Sequence, residues 1–443
     1  MGFRIQTAAA RWWIGVSALA LAAPLCVAAL STQDSDEAPI RYSETRPADS
    51  IARLQQRLDS GQLKLQFRGE RGYLDSLLTA LGISSNSQLL VFSKTSFQRD
   101  RISPFTPRAL YFNDDTYVGY VQGGPVLELS TADPQLGGVF YILEQSPTRP
   151  KISRQRYECL SCHESGLTRG VPGHTVRSVY SMRDGQPAFS AGTFVTTPTS
   201  PYEERWGGWY LTGNTGNIKH LGNQMFGNSE EAAAPDKARS TNVPSVAPFC
   251  DTRPYLTPHS DVVAHMVMAH QVDIHNLMTR ASYETKRALA YEALLNKELG
   301  RGSFRSESTT RRIQGVCEPL VKAILCADEA PLGSGITGSS SFSQTFAIRG
   351  PWDSKRRSLR ELDLKTRLFR YPCSFLVYSD SFKGLPDEAR SYCLGRLREI
   401  LTGETSPAGY PSLRPEDRTA IHEILEETLP EYAAAPPRRR SAG

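Results

Sequence analysis

Two cysteines and a histidine stand close together in the stretch Cys159-Leu160-Ser161-Cys162-His163. This C-x-x-C-H spacing signals covalent attachment of haem through two thioether bonds. Two thiols three residues apart can meet the two vinyl groups on one edge of a porphyrin, and the next imidazole can then reach the iron. The stretch therefore predicts one covalently bound haem c.

Two other uses of these thiols have to be weighed against haem. A redox-active dithiol of the thioredoxin type lies in a βαβ unit, and a structural zinc site usually has a second pair of ligands. The sequence around Cys159 shows neither feature. A non-haem structural or interaction protein, with the Cys-x-x-Cys pair as a clip, stays as the third alternative.

The stretch resembles the haem site of c-type cytochromes, and this resemblance implies that Cys159 and Cys162 attach the haem and that His163 is the proximal iron ligand. A wider resemblance, over residues 88–403, is to large exported bacterial proteins with a single C-x-x-C-H that are described only as cytochrome c domain-containing. It implies haem binding and export, and it names no reaction. The stretches that carry it are Ser103-Pro104, Arg108-Ala109-Leu110-Tyr111-Phe112-Asn113-Asp114, Arg205-Trp206-Gly207-Gly208-Trp209-Tyr210 and Arg370-Tyr371-Pro372-Cys373-Ser374.

Whether a protein side chain also binds the far side of the iron distinguishes an electron carrier from a catalyst. An iron with two protein ligands is suited to electron transfer, whereas an open position can bind oxygen, peroxide or small gases. His220 is one candidate, because a Gly/Asn-rich loop could bring it over a porphyrin walled by nearby aromatic residues. His174 follows the motif closely, and its connection to His163 is short for crossing the ring.

His270 is the other candidate distal ligand. It falls on an apolar stripe of a predicted helix, where a hydrogen-bonded core histidine is the alternative reading. His265 and His275 are each five residues from His270, about 140° around a regular helix. The three histidines therefore cannot converge on one metal ion.

The bulk composition limits the classes of function. The chain has 443 residues, of which 39% are hydrophobic and 22% charged, and a formal net charge of +5. This is the composition of a globular protein with more than one core. The charge is too small and too dispersed for a nucleic-acid-binding surface, and the Arg-rich segment 431–443 is predicted to be a disordered basic tail.

Residues 1–30 predict a signal peptide or an N-terminal membrane anchor, because two arginines precede an apolar run with small residues near its end. Either form would export the rest of the chain, to the periplasm or to a membrane facing it.

Five cysteines outside the motif follow this segment, and Cys373 with Cys393 is the more plausible disulfide. Cys317 and Cys326 would lie about 13 Å apart if both were on one helix. The other two cysteines are Cys26 and Cys250.

The periodicity of the chain predicts an α+β fold, in which an antiparallel β-rich haem-bearing region is followed by a mainly α-helical region. Short β-type runs separated by turn residues begin near residue 88, and helical patterns begin near residue 260. The predicted divisions are a leader with short helices (31–87, flexible over 33–48), the β-rich haem region (88–228), a Pro/Ala-rich linker (229–259) and the helical region (260–430), in which Pro319 opens the second helix.

Together these patterns predict an exported c-type haem protein that passes single electrons between redox partner proteins in the periplasm or at the membrane. The leading alternative is a haem enzyme or sensor, peroxidase-like, with an open sixth coordination position. The sequence predicts no nucleic-acid partner.

Overall fold

The structure, a computed structural model, describes residues 34–238, 241–403, 409–410 and 413–434. The predicted signal peptide or anchor and residues 435–443 of the predicted tail lie outside the described residues. Over the described ranges, none of the helices combines the length and the apolar composition needed to span a membrane.

The predicted α+β class is confirmed. A six-stranded antiparallel sheet occupies the N-terminal half, and each strand pairs with its neighbours in the sequence. Turn residues connect the strands, so that Phe112 pairs directly with Tyr117 across the Asn113-Asp114-Asp115 turn. The strands are β1 (Leu89–Val91), β2 (Arg108–Phe112), β3 (Thr116–Tyr120), β4 (Val126–Asp133), β5 (Gly137–Glu144) and β6 (Ile152–Gln155).

Both faces of the sheet are covered near its first strands. Leu89 and Val91 of β1 belong to the core shared with the helical half. Leu90 and Phe92 face the opposite way, into a second core beneath the N-terminal helices α1 (Ser50–Asp59) and α2 (Leu74–Leu81). This alternation follows from the two-residue period of a strand, and it places the sheet between the two cores.

The segment before α1 is packed rather than flexible over the described residues 34–48, which corrects the prediction of a flexible leader over residues 33–48. The Tyr42 side chain is fully buried, and its hydroxyl donates to the Gly138 carbonyl at 2.7 Å. The contact joins residues 96 positions apart, which the local polarity of the segment could not indicate. The cap of α1 is Asp49, which accepts a hydrogen bond from the Ala52 N–H.

The stretch Cys159–His163 follows the last strand on a short helix, α3 (Tyr157–His163). Beyond it two short strands pair antiparallel, and the Asp184-Gly185 turn lies between them. Residues 241–258 wrap the second core, where Val246 is fully buried. The elements of this part are β7 (Arg177–Val179), β8 (Thr193–Val195), β9 (Gly213–Asn214) and α4 (Ser229–Ala233).

The helical half is built on one long helix, α5 (Val262–Glu298), which Asp261 caps. Its first five turns are buried all round, because the sheet and other helices surround them. The remaining elements are α6 (Glu307–Ile324), β10 (Thr337–Gly338), α7 (Phe342–Ala347), α8 (Asp380–Lys383), α9 (Asp387–Thr402), α10 (Pro415–Thr428) and α11 (Pro430–Ala433).

Three predictions for the helical half need correction. Pro319 lies inside α6 rather than at its start, and Ser306 caps that helix. Burial of the last turns of α6 offsets the hydrogen bond that a proline removes. The tail does not begin at residue 431, because Tyr432 of α11 is fully buried. Cys373 and Cys393 are free thiols, and Cys393 hydrogen-bonds with Cys317 on the facing helix α6.

Candidate functional site

Helix α3 sets the positions of the two motif cysteines. Leu160 is fully buried and anchors the helix on the second core. Cys159 is half-buried and packs against that core, whereas Cys162 is exposed. Residues three apart on a helix lie on neighbouring parts of its surface. Both sulfurs are free, and they are therefore available on one side of α3.

His163 is held in one orientation by a backbone carbonyl. Its Nδ1 lies 2.9 Å from the Gly173 carbonyl oxygen, and a carbonyl can only accept, so Nδ1 carries the proton. The lone pair of the neutral ring is then on Nε2. Burial lowers the pKa of His163, and the Gly173 carbonyl opposes that shift. This is the arrangement expected of an imidazole that binds a metal through Nε2.

The peptide group between Gly173 and His174 links this carbonyl to α5. The side chain of Asn276 accepts from the His174 N–H at 3.0 Å and donates to the His174 carbonyl at 2.7 Å. The Gly173 N–H in turn donates to the His163 carbonyl at 2.9 Å. A Cβ on Gly173 would collide with Asn276, so glycine is needed for this close approach.

The loop between His163 and Gly173 is fixed at both ends. Arg169 forms an ion pair with Asp273 of α5 at 2.6 Å. Glu164, next to the motif, accepts from the backbone and side chain of Ser35 at 3.1 and 2.8 Å. Burial raises the pKa of Glu164, and the hydrogen bonds from Ser35 oppose that shift. The N-terminal segment thus braces the motif from outside.

His174 is the histidine nearest the motif. Its ring centroid lies 6.4 Å from that of His163 and 4.6 Å from the Tyr117 ring, and Phe140 packs against both imidazoles. Within the described residues neither ring nitrogen of His174 has a hydrogen-bond partner, although the side chain is buried. Burial, with His163 and His275 nearby, places the pKa of His174 well below its ordinary value.

An unpartnered nitrogen in a buried site costs about 1–3 kcal/mol, and both nitrogens of His174 are in that position. Two free thiols, an oriented imidazole and an orphaned imidazole form a donor set that fits a covalently attached haem. Cys159, Cys162 and His163 are the residues that would hold it.

The two histidines considered as distal ligands lie in other clusters. His220 is buried against Trp206, with 5.4 Å between ring centroids, and its Nδ1 accepts from the Gly222 N–H. His270 is buried between Glu329 and Ser374. Among the described residues, the ring contacts of His163 are with Phe140 and His174 instead.

The other helix histidines go to separate partners, as their spacing predicted. His265 contacts Ser260 and the Tyr210 carbonyl at 3.0 Å each. His275 lies 3.5 Å from the Tyr117 hydroxyl, and its Nε2 has no partner in the described part of the chain. The three histidines of α5 therefore do not form one metal site.

Sequence reasoning missed the groups that orient His163. The segment Val171-Pro172-Gly173-His174 was a local signal, since it brings the chain back towards the motif. Nothing local pointed to Asn276, which is 102 residues away from His174, or to Phe140 of the sheet.

Three comparisons bear on the identity of the chain. None of the protein-family models, curated proteins or solved structures compared with it matches.

Proposed function

We propose that this protein is an exported c-type haem protein that transfers single electrons. The observation that carries the proposal is the orientation of His163. Its Nδ1–H is engaged by the Gly173 carbonyl, which leaves the Nε2 lone pair for a metal, and the two motif thiols on the same helix are free. When bound, haem would supply a one-electron iron couple.

The residues of the chain would attach, orient and shield this group. Cys159 and Cys162 would each form one thioether, and Leu160 fixes the helix that presents them. The hydrogen bond from Nδ1 to Gly173 would set the electron density on the proximal imidazole, and thereby the reduction potential. His174 joins His220 and His270 as a candidate distal ligand, supported by its two unpartnered nitrogens.

Export and redox partners are part of the same proposal. The N-terminal apolar segment supports export to the periplasm or to a membrane facing it. Cys162 is exposed, so one edge of the attachment site is open to the surface. A redox partner protein could approach the site there.

The test of attachment is a comparison of cysteine variants produced in full length with a haem c attachment system. The wild-type protein is expected to be red, with colour that survives extraction by acidified acetone. Cys162→Ala should weaken or abolish covalent haem, whereas Cys250→Ser, a buried cysteine outside the motif, should leave it unchanged. Colour lost to solvent, or equal covalent haem in Cys162→Ala, would refute the proposal.

A haem enzyme or sensor with an open sixth position is the second candidate. Buried Tyr117 and His275, close to the orphaned His174, favour it, because such groups can move protons near a bound small molecule. Carbon monoxide added to the reduced protein separates the two candidates. A rapid shift of the Soret band indicates an available position, and an unchanged spectrum indicates a saturated iron and an electron carrier.

A further inference from the structure

A second cluster of metal-binding side chains lies between α5 and the end of α6. His270 comes from α5, and Cys326 and Glu329 follow α6 in the chain. One ligand atom from each residue lies within 4.8 Å of the other two. His270 and Cys326 are buried, at 1% and 5% exposure, and Glu329 is half-buried. His270 therefore meets two residues of the segment after α6 at one point, although more than 50 positions separate it from them in the sequence.

The imidazole of His270 is oriented as in a metal ligand. Its Nε2 lies 2.8 Å from the Ser374 hydroxyl, and its Nδ1 lies 3.1 Å from a carboxylate oxygen of Glu329. If Nε2–H donates to Ser374, the Nδ1 lone pair faces the carboxylate, and a cation between them relieves the repulsion. A metal-bound histidine commonly donates its other N–H to a neighbouring oxygen, and the Ser374 hydroxyl lies within hydrogen-bond distance for that role.

The same point opens into a cavity of about 390 Å³. Four carboxylates and two cationic side chains line the cavity. Asp273 is paired with Arg169 at 2.6 Å and Glu318 with Arg396 at 3.0 Å, so Asp328 and Glu329 beside Lys322 carry the remaining negative charge of the wall. The carboxylates are Asp273, Glu318, Asp328 and Glu329, and the cations are Arg169 and Lys322. A metal held by three protein groups at the wall would keep a further position open to a molecule in the cavity.

The backbone at Cys326 is the third observation. This residue has φ of 50°, in the left-handed region that side chains other than glycine rarely adopt. Cys326 follows the C-cap of α6, and its N–H donates to the Ala323 carbonyl at 3.1 Å while the Ala327 N–H donates to the Lys322 carbonyl at 3.0 Å, which is a common way to end a helix. This helix end fixes the backbone that carries the sulfur near His270 and Glu329.

We propose that His270 Nδ1, Cys326 Sγ and the Glu329 carboxylate bind one divalent transition-metal ion, with zinc as the ion that best suits mixed nitrogen, sulfur and oxygen ligands. The fourth position faces the cavity and takes water. None of its three ligands belongs to the C-x-x-C-H motif, and assigning His270 to this ion leaves His174 and His220 as the candidate distal haem ligands.

The experiment is calorimetric titration of Zn²⁺ into the full-length protein after chelator treatment, with metal analysis that counts zinc separately from iron. The wild type is expected to bind one equivalent at micromolar Kd or tighter. Cys326→Ser should weaken the affinity at least 10-fold. Cys250→Ser is the matched control, since Cys250 is also buried and its sulfur likewise lies 4.0 Å from a backbone carbonyl.

Glu329→Gln provides a second test if Cys326→Ser does not fold, because Glu329 is only half-buried and the amide keeps its shape. It too should weaken zinc binding at least 10-fold while the circular dichroism spectrum stays that of the wild type. The proposal is overturned if the wild type takes up no stoichiometric zinc, if both ligand variants bind as the wild type does, or if Cys250→Ser loses zinc equally.

Discussion

Asn276→Leu tests whether the hydrogen-bond chain behind His163 tunes the proposed haem. The His163 Nδ1–H donates to the Gly173 carbonyl. The N–H of the same peptide group, which belongs to His174, donates to the Asn276 side chain. Hydrogen bonds in such a chain polarise one another. Without the amide, the Gly173 carbonyl is a weaker acceptor, the imidazole is less electron-rich, and the ferric state is less stabilised. The reduction potential should therefore rise.

The structure gives a magnitude for both effects. Asn276→Leu removes two buried hydrogen bonds, of 3.0 and 2.7 Å, and each unsatisfied backbone group costs about 1–3 kcal/mol. Burial of leucine offsets part of this loss, so the free energy of unfolding should fall by roughly 2–4 kcal/mol. A change of about 0.5–1 kcal/mol between the two oxidation states corresponds to roughly 20–40 mV for a one-electron couple.

Asn223→Leu is the matched control. Asn223 is equally buried, and its amide accepts from the Leu211 N–H at 2.7 Å and donates to the Leu211 carbonyl at 2.8 Å. Its φ of 64° adds strain for leucine, so this variant should be at least as destabilised. Urea unfolding and spectroelectrochemical titration measure the two quantities. An equal potential shift in both variants, or none in Asn276→Leu, would refute the argument.

In the protein without haem, an alkylating reagent at pH 8 should label exposed Cys162 much faster than Cys159, because burial raises the pKa of Cys159 to about 11. Peptide mass spectrometry measures the two rates. Equal rates would contradict the burial of Cys159 on α3. Gly138→Ala should lower both haem incorporation and the free energy of unfolding, since its Cβ would lie 2.8 Å from the Gly173 nitrogen. Normal haem incorporation would show that the loop between His163 and Gly173 can shift without affecting the haem site. Stability should fall between pH 6.5 and 5, because buried histidines have pKa values lowered to about 3 or 4 and stay neutral when folded but protonate when unfolded. The histidines concerned are His220, His265 and His275, and each lowers the free energy of unfolding by about 2 kcal/mol at pH 5. Carboxyl groups with raised pKa values, such as Asp49, oppose this loss. A free energy of unfolding that stays constant between pH 6.5 and 5 would contradict the prediction.

Elements with a strong local signal could be predicted from the sequence. The start of the long helix α5 was predicted at Ser260 or Asp261, because a sustained apolar pattern follows them, and Asp261 is its cap. The β runs and the turns between them predicted the first five strands of the sheet. In these segments local propensity and tertiary burial favour the same structure.

Elements that depend on distant contacts could not be predicted. The segment around Tyr42 is polar, and it is ordered by the sheet rather than by its own sequence. Pro319 is a strong start signal for a helix, and the core beneath α6 overrides it. Cys393 lies against Cys317, because α6 and α9 face each other, and no spacing rule reveals such a pairing.

In the candidate site, too, residues with a local sequence signal could be predicted, and residues that depend on distant contacts could not. The motif residues were evident because their spacing is a chemical requirement of haem attachment. The groups that orient His163, above all Asn276, come from another part of the fold. The proposed zinc ligand His270 was predicted to lie on a buried face, but its partners Cys326 and Glu329 became visible only when α5 and α6 were placed together.

Mass spectrometry of the mature full-length protein tests the central claim most directly. The protein is produced in a host that matures its own c-type cytochromes, and the peptide containing Cys159 and Cys162 is isolated. The proposal predicts that this peptide carries the added mass of one haem through both cysteines. Unmodified or disulfide-bonded cysteines in that peptide, while the host cytochromes are fully matured, would contradict it.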